Sequence, residues 1–88
     1  MNLFRTKTFR KEYGKVKITD TQYVKYLKYL VILLEGNVLP SQARDHSLNG
    51  EYNGFREFHL GGDLLVVYVI EDDILRLTRM GTHSQLFK

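Results

Sequence analysis

The sequence predicts an α+β domain in which a short N-terminal strand precedes two helices packed on a small antiparallel sheet. Two observations carry this reading. Apolar residues recur at a helical period up to Gly36, and from Gly54 onward the period changes to two. Gly61-Gly62 and Glu71-Asp72-Asp73 then divide the second half into three strands, which gives the order β-α-α-β-β-β.

Asn2 to Arg5 reads as the first strand, and Thr6 to Val16 as a short helix with Phe9 and Tyr13 four residues apart. Thr19-x-x-Gln22 fits a capping box opening a second helix, which Gly36 ends and Pro40 prevents from resuming. Tyr23, Leu27, Leu30 and Leu34 form its expected inward stripe, widened by Val24 and Val31, with Lys25 and Lys28 on the opposite side. The helix is apolar over more than the usual stripe, and the surplus serves either a thin core or a partner. Residues 37–53 read as one long loop, a length that is uncommon without function. Gly54 to Leu60 is a strand, Leu64 to Ile70 a central strand buried on both faces, and Ile74 to Met80 the returning one.

At 88 residues the chain is expected to form a single domain, residues 1–88, with a small core and modest stability. It has no Cys, hence no disulfide and no thiolate metal site. The longest apolar run is too short to span a membrane, and basic residues interrupt the N-terminus, unlike a signal peptide. The expectation is a cytoplasmic protein without a membrane partner. Net charge is only +3, but eight Lys or Arg fall within residues 1–28 against Glu12 and Asp20. A basic first third suits an anionic partner, nucleic acid above all.

The residues that can carry chemistry are His46 in the loop, His59 at a strand end, Asp63 just past it, Arg79 at another strand end and His83 in the last turn. Counting along the strands, Phe55, Glu57 and His59 share a face, and so do Leu75, Leu77 and Arg79. Antiparallel pairing brings the end of the first sheet strand, the start of the next and the end of the last to one edge. His59, Asp63, Arg79 and His83 are therefore expected to converge. Taken singly, each has a plainer reading, a hydrogen-bonded loop His or an Arg79 paired with Asp63 or Glu57. Two chemistries fit the set. His46, His59, His83 and Asp63 could ligate a metal, but they lack the close helical spacing of strong metal motifs, and Arg79 would repel a cation. The favoured alternative is metal-free RNA cleavage. RNA carries its own nucleophile, the 2′-OH, so two imidazoles serve as base and acid and a guanidinium steadies the phosphate. Phe87 could stack on a base.

The stretch LPSQARDHSLNGEYNGFREFHLGGDLLVVYVIEDDILRLTRMGTHSQLF resembles the YafQ branch of the RelE-like bacterial toxins. The match spans residues 39–87, with coincident spacing of the LP, DH, GFRE, His59, Asp63 and RMGTH positions, whereas residues 1–38 are compatible but not diagnostic. The resemblance implies a RelE-like fold and an endoribonuclease that cuts messenger RNA in the ribosomal A site, with no cofactor. It also implies a cognate antitoxin of the DinJ/RelB type. Carried over by position, the catalytic residues are His46, His59, Asp63 and His83, with Arg79 near the scissile phosphate and Phe87 as the C-terminal aromatic. The basic first third would grip 16S ribosomal RNA. Two departures stand out: Leu64 occupies a position where some relatives carry Trp, and Gly61-Gly62 replaces a Pro. Gly81 is expected to permit a sharp turn that presents His83, with Leu86 and Phe87 pinning the chain end. The alternatives are a non-enzymatic toxin of the same fold that poisons gyrase by binding, and a catalytically silent relative that keeps only antitoxin binding.

Overall fold

Two threonines decide where the helices begin. Thr6 caps helix α1 (Lys7–Lys15) by accepting from the Phe9 amide at 3.0 Å, and its hydroxyl donates to the Thr78 carbonyl at 3.0 Å, which ties the cap to the sheet. Thr19 and Gln22 form the expected reciprocal capping box at the start of helix α2 (Asp20–Leu34). Gly36, at φ 77°, takes the left-handed position that stops it. The computed structural model describes residues 1–87, and Lys88 lies outside the described residues.

The strands are β1 (Asn2–Arg5), β2 (His46–Ser47), β3 (Arg56–Gly61), β4 (Leu64–Glu71) and β5 (Ile74–Thr82), followed by a one-turn helix α3 (His83–Leu86). They form one sheet in the order β1-β5-β4-β3-β2, with β1 parallel to β5 and every other pair antiparallel. The predicted succession of elements is present, with β2 and α3 added and with a mixed rather than wholly antiparallel sheet. Helices α1 and α2 cover one face, burying Phe9, Tyr26, Tyr29 and Leu33 against Phe58, Leu60, Val66, Tyr68, Leu75 and Leu77. The other face carries a smaller cluster, Leu65, Val67 and Leu86, flanked by Leu48, Tyr52, Phe55 and Phe87. Strand β4 is thus buried on both sides, as its unbroken apolar run requires. Among the described residues no helix is long and apolar enough to cross a membrane.

Three expectations need correction. Residues 37–53 are not structureless: they hold single 3-10 turns at Ser41–Ala43 and Gly50–Tyr52, and β2 pairs His46 with Glu57 and Ser47 with Arg56. Pairing with β3, a non-local contact, orders the segment. Second, α2 buries Tyr26, Tyr29, Leu30 and Leu33, leaving Tyr23, Val24, Leu27 and Val31 exposed. In a helix apolar nearly all round, periodicity does not select the inward side. The large rings do, with Tyr29 edge-on to Phe58 at 5.7 Å and Tyr26 stacked near Phe9 at 6.5 Å. Third, Val67 pairs with Arg79 but Tyr68 with Leu77, so Thr78 is an extra residue in β5. This bulge turns Arg79 onto the face opposite Leu75 and Leu77. The Thr78 hydroxyl fills the gap by donating to the Val67 carbonyl at 2.9 Å.

Candidate active site

Alternation along β3 puts Glu57 and His59 on the face away from the helices, and β2 sets His46 directly opposite Glu57. Glu57 is only 3 % exposed, the sole charged residue buried in this way among those described. A buried carboxylate must be paired to be tolerated. Its Oε2 lies 3.0 Å from Nε2 of His46 and 3.0 Å from Nε2 of His59, and the two imidazoles stack at 5.9 Å. Glu57 Oε1 has no partner among the described residues.

The partners assign the protons. His46 Nδ1 lies 2.7 Å from the Arg44 carbonyl, which can only accept, so Nδ1 donates. Its Nε2 faces the Glu57 carboxylate, so both ring nitrogens of His46 point at acceptor oxygens. His59 differs. Its Nε2 donates to Glu57, while Nδ1 faces a guanidinium nitrogen of Arg44 at 3.4 Å and must keep a lone pair. One imidazole is therefore held between two acceptors, and the other between a carboxylate and a guanidinium.

The segment carrying His46 is fixed by its neighbour. Asp45 Oδ1 accepts from the Tyr68 hydroxyl at 2.7 Å and from Arg56 Nε at 3.1 Å. Burial, reinforced by Asp45, raises the Tyr68 pKa above the usual tyrosine value. The folded state thus favours neutral Tyr68, and this contribution is complete below about pH 10 and lost as pH rises further. Tyr68→Phe should lower stability by about 1 kcal/mol and remove that part of the alkaline loss, as read by urea unfolding between pH 7 and 11.

Arg79 is engaged elsewhere. Its Nε and Nη2 donate to Glu12 of α1 at 2.8–3.1 Å, Nη1 donates to the Tyr52 hydroxyl at 2.7 Å, and the Met80 amide donates to the same carboxylate at 3.0 Å. The bulge aims the guanidinium at this latch between α1 and β5 instead of at the expected convergence of side chains. His83 opens α3, which Thr82 caps through a second reciprocal capping box with Gln85. Its ring neighbours Phe87 at 5.0 Å, and Phe87 sits edge-on to Tyr52 at 5.3 Å, so the last aromatic is a packing residue that pins the chain end. Gly81 is not a turn residue: it lies within β5, where an added Cβ would come within 3.2 Å of Leu86 Cδ2.

Asp63 lies just before β4, whose first residue Leu64 pairs with Thr82, next to His83. It lies on the shared wall of two cavities. One, about 230 Å³, is also lined by Lys25, Arg44 and His59, and the other, about 520 Å³, by Glu12, Lys15, Lys17, Gln22 and Thr82. Of the six residues read from the sequence, the fold links His46 and His59 through Glu57 and sets Asp63 on the wall of the cavity that His59 lines. It pairs His83 with Phe87 farther along the same edge and turns Arg79 to α1. Sequence reasoning passed over Glu57 as a site member, although its place two residues before His59 on one strand face was legible. Glu12, distant in sequence from Arg79, left no such signal.

The structure is thus a mixed sheet with two helices on one face and an imidazole–carboxylate cluster at its edge. The structure superimposes on a copper-bound mutant toxin from Helicobacter pylori with a TM-score of 0.86, 34% identity and 98% of each chain covered. It superimposes on the Escherichia coli DinJ–YafQ complex with a TM-score of 0.78 and 30% identity, over 99% of this chain and 98% of that one. In sequence it is 40% identical over 81 residues to the mRNA interferase toxin YafQ of Escherichia coli strain K12, covering 86% of this chain and 88% of that protein. Residues 1–88 match the YafQ toxins of type II toxin–antitoxin systems, and the chain belongs to that family.

Proposed function

We propose that this YafQ-family toxin is a ribosome-dependent mRNA interferase, with residues 1–88 acting as one cytoplasmic toxin domain that cuts messenger RNA in the A site. The observation that carries the reading is the Glu57-bridged pair of imidazoles in unlike surroundings, His46 between two acceptor oxygens and His59 with Nδ1 turned to Arg44. His59 Nδ1 takes the proton of the 2′-OH, the oxygen attacks the adjacent phosphorus and the bond to the 5′-oxygen breaks. His83, on the same edge, protonates that leaving oxygen. Base and acid each supply about 10² to 10⁴-fold. Asp63 orients the substrate side of the cavity, His46 and Glu57 hold His59 in its tautomer, and Phe87 packs behind His83.

The DinJ–YafQ complex supports a DinJ/RelB-like antitoxin as the neutralising partner. The exposed apolar face of α2, Tyr23, Val24, Leu27 and Val31, suits such a partner. The basic residues of the first third suit 16S ribosomal RNA, a contact that weakens with salt. The test is expression from a tight promoter beside His59→Ala, with mapping of 5′ ends on messenger RNA. Growth arrest with in-frame cuts, lost in a variant that still folds, is the expected result. Arrest that persists in the variant without cuts would support a binding poison of the gyrase type.

A second reading rests on the same cluster. The ligating atoms of His46, Glu57 and His59 all lie within 4.8 Å of one another, two imidazoles and a carboxylate suited to a copper- or zinc-class ion. The copper-bound Helicobacter pylori toxin gives this reading support. Such an ion would supply Lewis-acid chemistry, and these three residues would hold it at the cost of their protons. We expect cleavage in Mg²⁺ buffer to survive 1,10-phenanthroline, which binds transition metals and spares Mg²⁺, and to slow when copper is added. Loss of cleavage on chelation, with recovery in zinc, would replace the acid–base reading.

A further inference from the structure

We propose that Lys25 and Arg44 form a phosphodiester subsite beside His59, a deepening that rests on the ribonuclease reading above. A phosphoryl group that gains a fifth oxygen needs cations close to the base, and Arg79 is partly committed elsewhere, since each of its three guanidinium nitrogens donates to Glu12 or Tyr52. Lys25 and Arg44 line the cavity of about 230 Å³ that also holds His59 and Asp63. Neither forms an ion pair among the described residues. Among the described residues Asp63 is the only carboxylate on that wall, so the cations outnumber it.

The backbone has been arranged to put them there. Arg44 sits in the left-handed region at φ 49°, where Gly or Asn would be unstrained. It is pinned by its amide donating to the Ser41 carbonyl at 3.0 Å and by its own carbonyl accepting from His46. The consequence is a guanidinium 3.4 Å from the basic nitrogen of His59. Lys25 reaches over the β3–β4 turn, with Nζ 3.5 Å from where a Cβ on Gly61 would stand. Gln22 holds that approach by donating to the Gly61 carbonyl at 2.9 Å. The glycine pair, at φ 98° and 60°, forms the tight turn over which α2 brings this cation to the cavity. A phosphodiester entering the cavity meets a guanidinium fork and an ammonium, with the His59 lone pair beside it.

The test uses single-stranded DNA, which carries phosphodiesters but no 2′-OH and is not cut by this chemistry. Affinity of the free toxin for a ten-nucleotide strand is measured against salt for wild type, Lys25→Gln, Arg44→Gly and Arg76→Gln. Arg76 lies at the far end of β5, paired with Glu71, and serves as the control. Arg44→Gly relieves the strained φ, so its melting temperature should hold or rise while binding falls. The expected result is at least a tenfold loss of affinity in each subsite variant. The slope of log affinity against log salt should drop by about 0.7 per cation removed, with the control unchanged. On messenger RNA the same variants should raise KM or lower kcat. Unchanged affinity and slope in both variants would overturn the subsite, even if the wild type cuts messenger RNA as proposed. If the wild type binds in this pattern but cuts no RNA, the subsite stands and the ribonuclease reading falls.

Discussion

Glu57→Gln is expected to lower single-turnover cleavage of ribosome-bound messenger RNA by about 10² to 10⁴-fold, with the far-ultraviolet dichroism unchanged. The carboxylate Oε2 receives N–H groups from both His46 and His59. Both imidazoles face the Oε2 place, so a Gln presents to both either a neutral carbonyl oxygen, a weaker acceptor than a carboxylate, or an NH₂ that confronts each with a donor. Either way the hydrogen bonds that hold the two rings lose their charge assistance. His59 is then free to take the opposite tautomer, with Nδ1 protonated and useless as a base. A comparable amide-for-acid change in the serine protease triad costs about 10⁴-fold for the same tautomeric reason. The side chain is isosteric and the fold should survive, because Glu57 Oε1 makes no bond to lose among the described residues. A change below threefold would mean that the bridge is architecture alone.

Glu12→Ala should be the most destabilising change of a surface-reaching residue, at about 2–3 kcal/mol, or roughly 8–20 °C in Tm for a domain this small. Glu12 accepts from Nε and Nη2 of Arg79 and from the Met80 amide, which joins α1 to the end of β5 just before α3. Removing it leaves the guanidinium tied only to Tyr52 and orphans an amide in the strand. Both side chains are about a quarter exposed, so water recovers part of the loss and the full penalty of a buried pair does not apply. Glu12→Gln retains an oxygen for the Met80 amide and should fall between the two. Thermal unfolding followed by circular dichroism decides. A shift under 3 °C for Glu12→Ala would show that packing, and not the latch, holds α1 to β5.

How much of this was written in the sequence follows from what kind of contact makes each feature. The capping boxes at Thr19 and Thr82, the stop at Gly36 and the doubly buried β4 are set by residues within a few positions, or by an unbroken apolar run, and can be read locally. The inward side of α2 was not legible, since Tyr23 and Leu27 continue an apolar stripe as well as Tyr26 and Leu30 do. The bulge at Thr78 was not legible either, because parity along β5 is broken by its register against β4. That single extra residue separates Arg79 from the face it was expected to share. Residues 46 and 47 looked like loop because a two-residue strand has no periodicity of its own. They become a strand only through β3, which brings His46 to Glu57. The meander did place the strand ends on one edge, which is why His59, Asp63 and His83 could be nominated from spacing alone.

The central claim, cleavage through the RNA's own 2′-OH, is tested most directly by the chemistry of the product ends. Purified toxin, ribosomes and a defined messenger RNA, in Mg²⁺ buffer with a chelator selective for transition metals, should yield an upstream fragment ending in a 2′,3′-cyclic phosphate and a downstream fragment starting with a 5′-hydroxyl. A transcript with 2′-deoxyribose at the scissile nucleotide should stay whole. A 3′-hydroxyl and a 5′-phosphate, or cleavage of the deoxy-substituted strand, would mean that water is the nucleophile and would contradict His59 as the base and His83 as the acid.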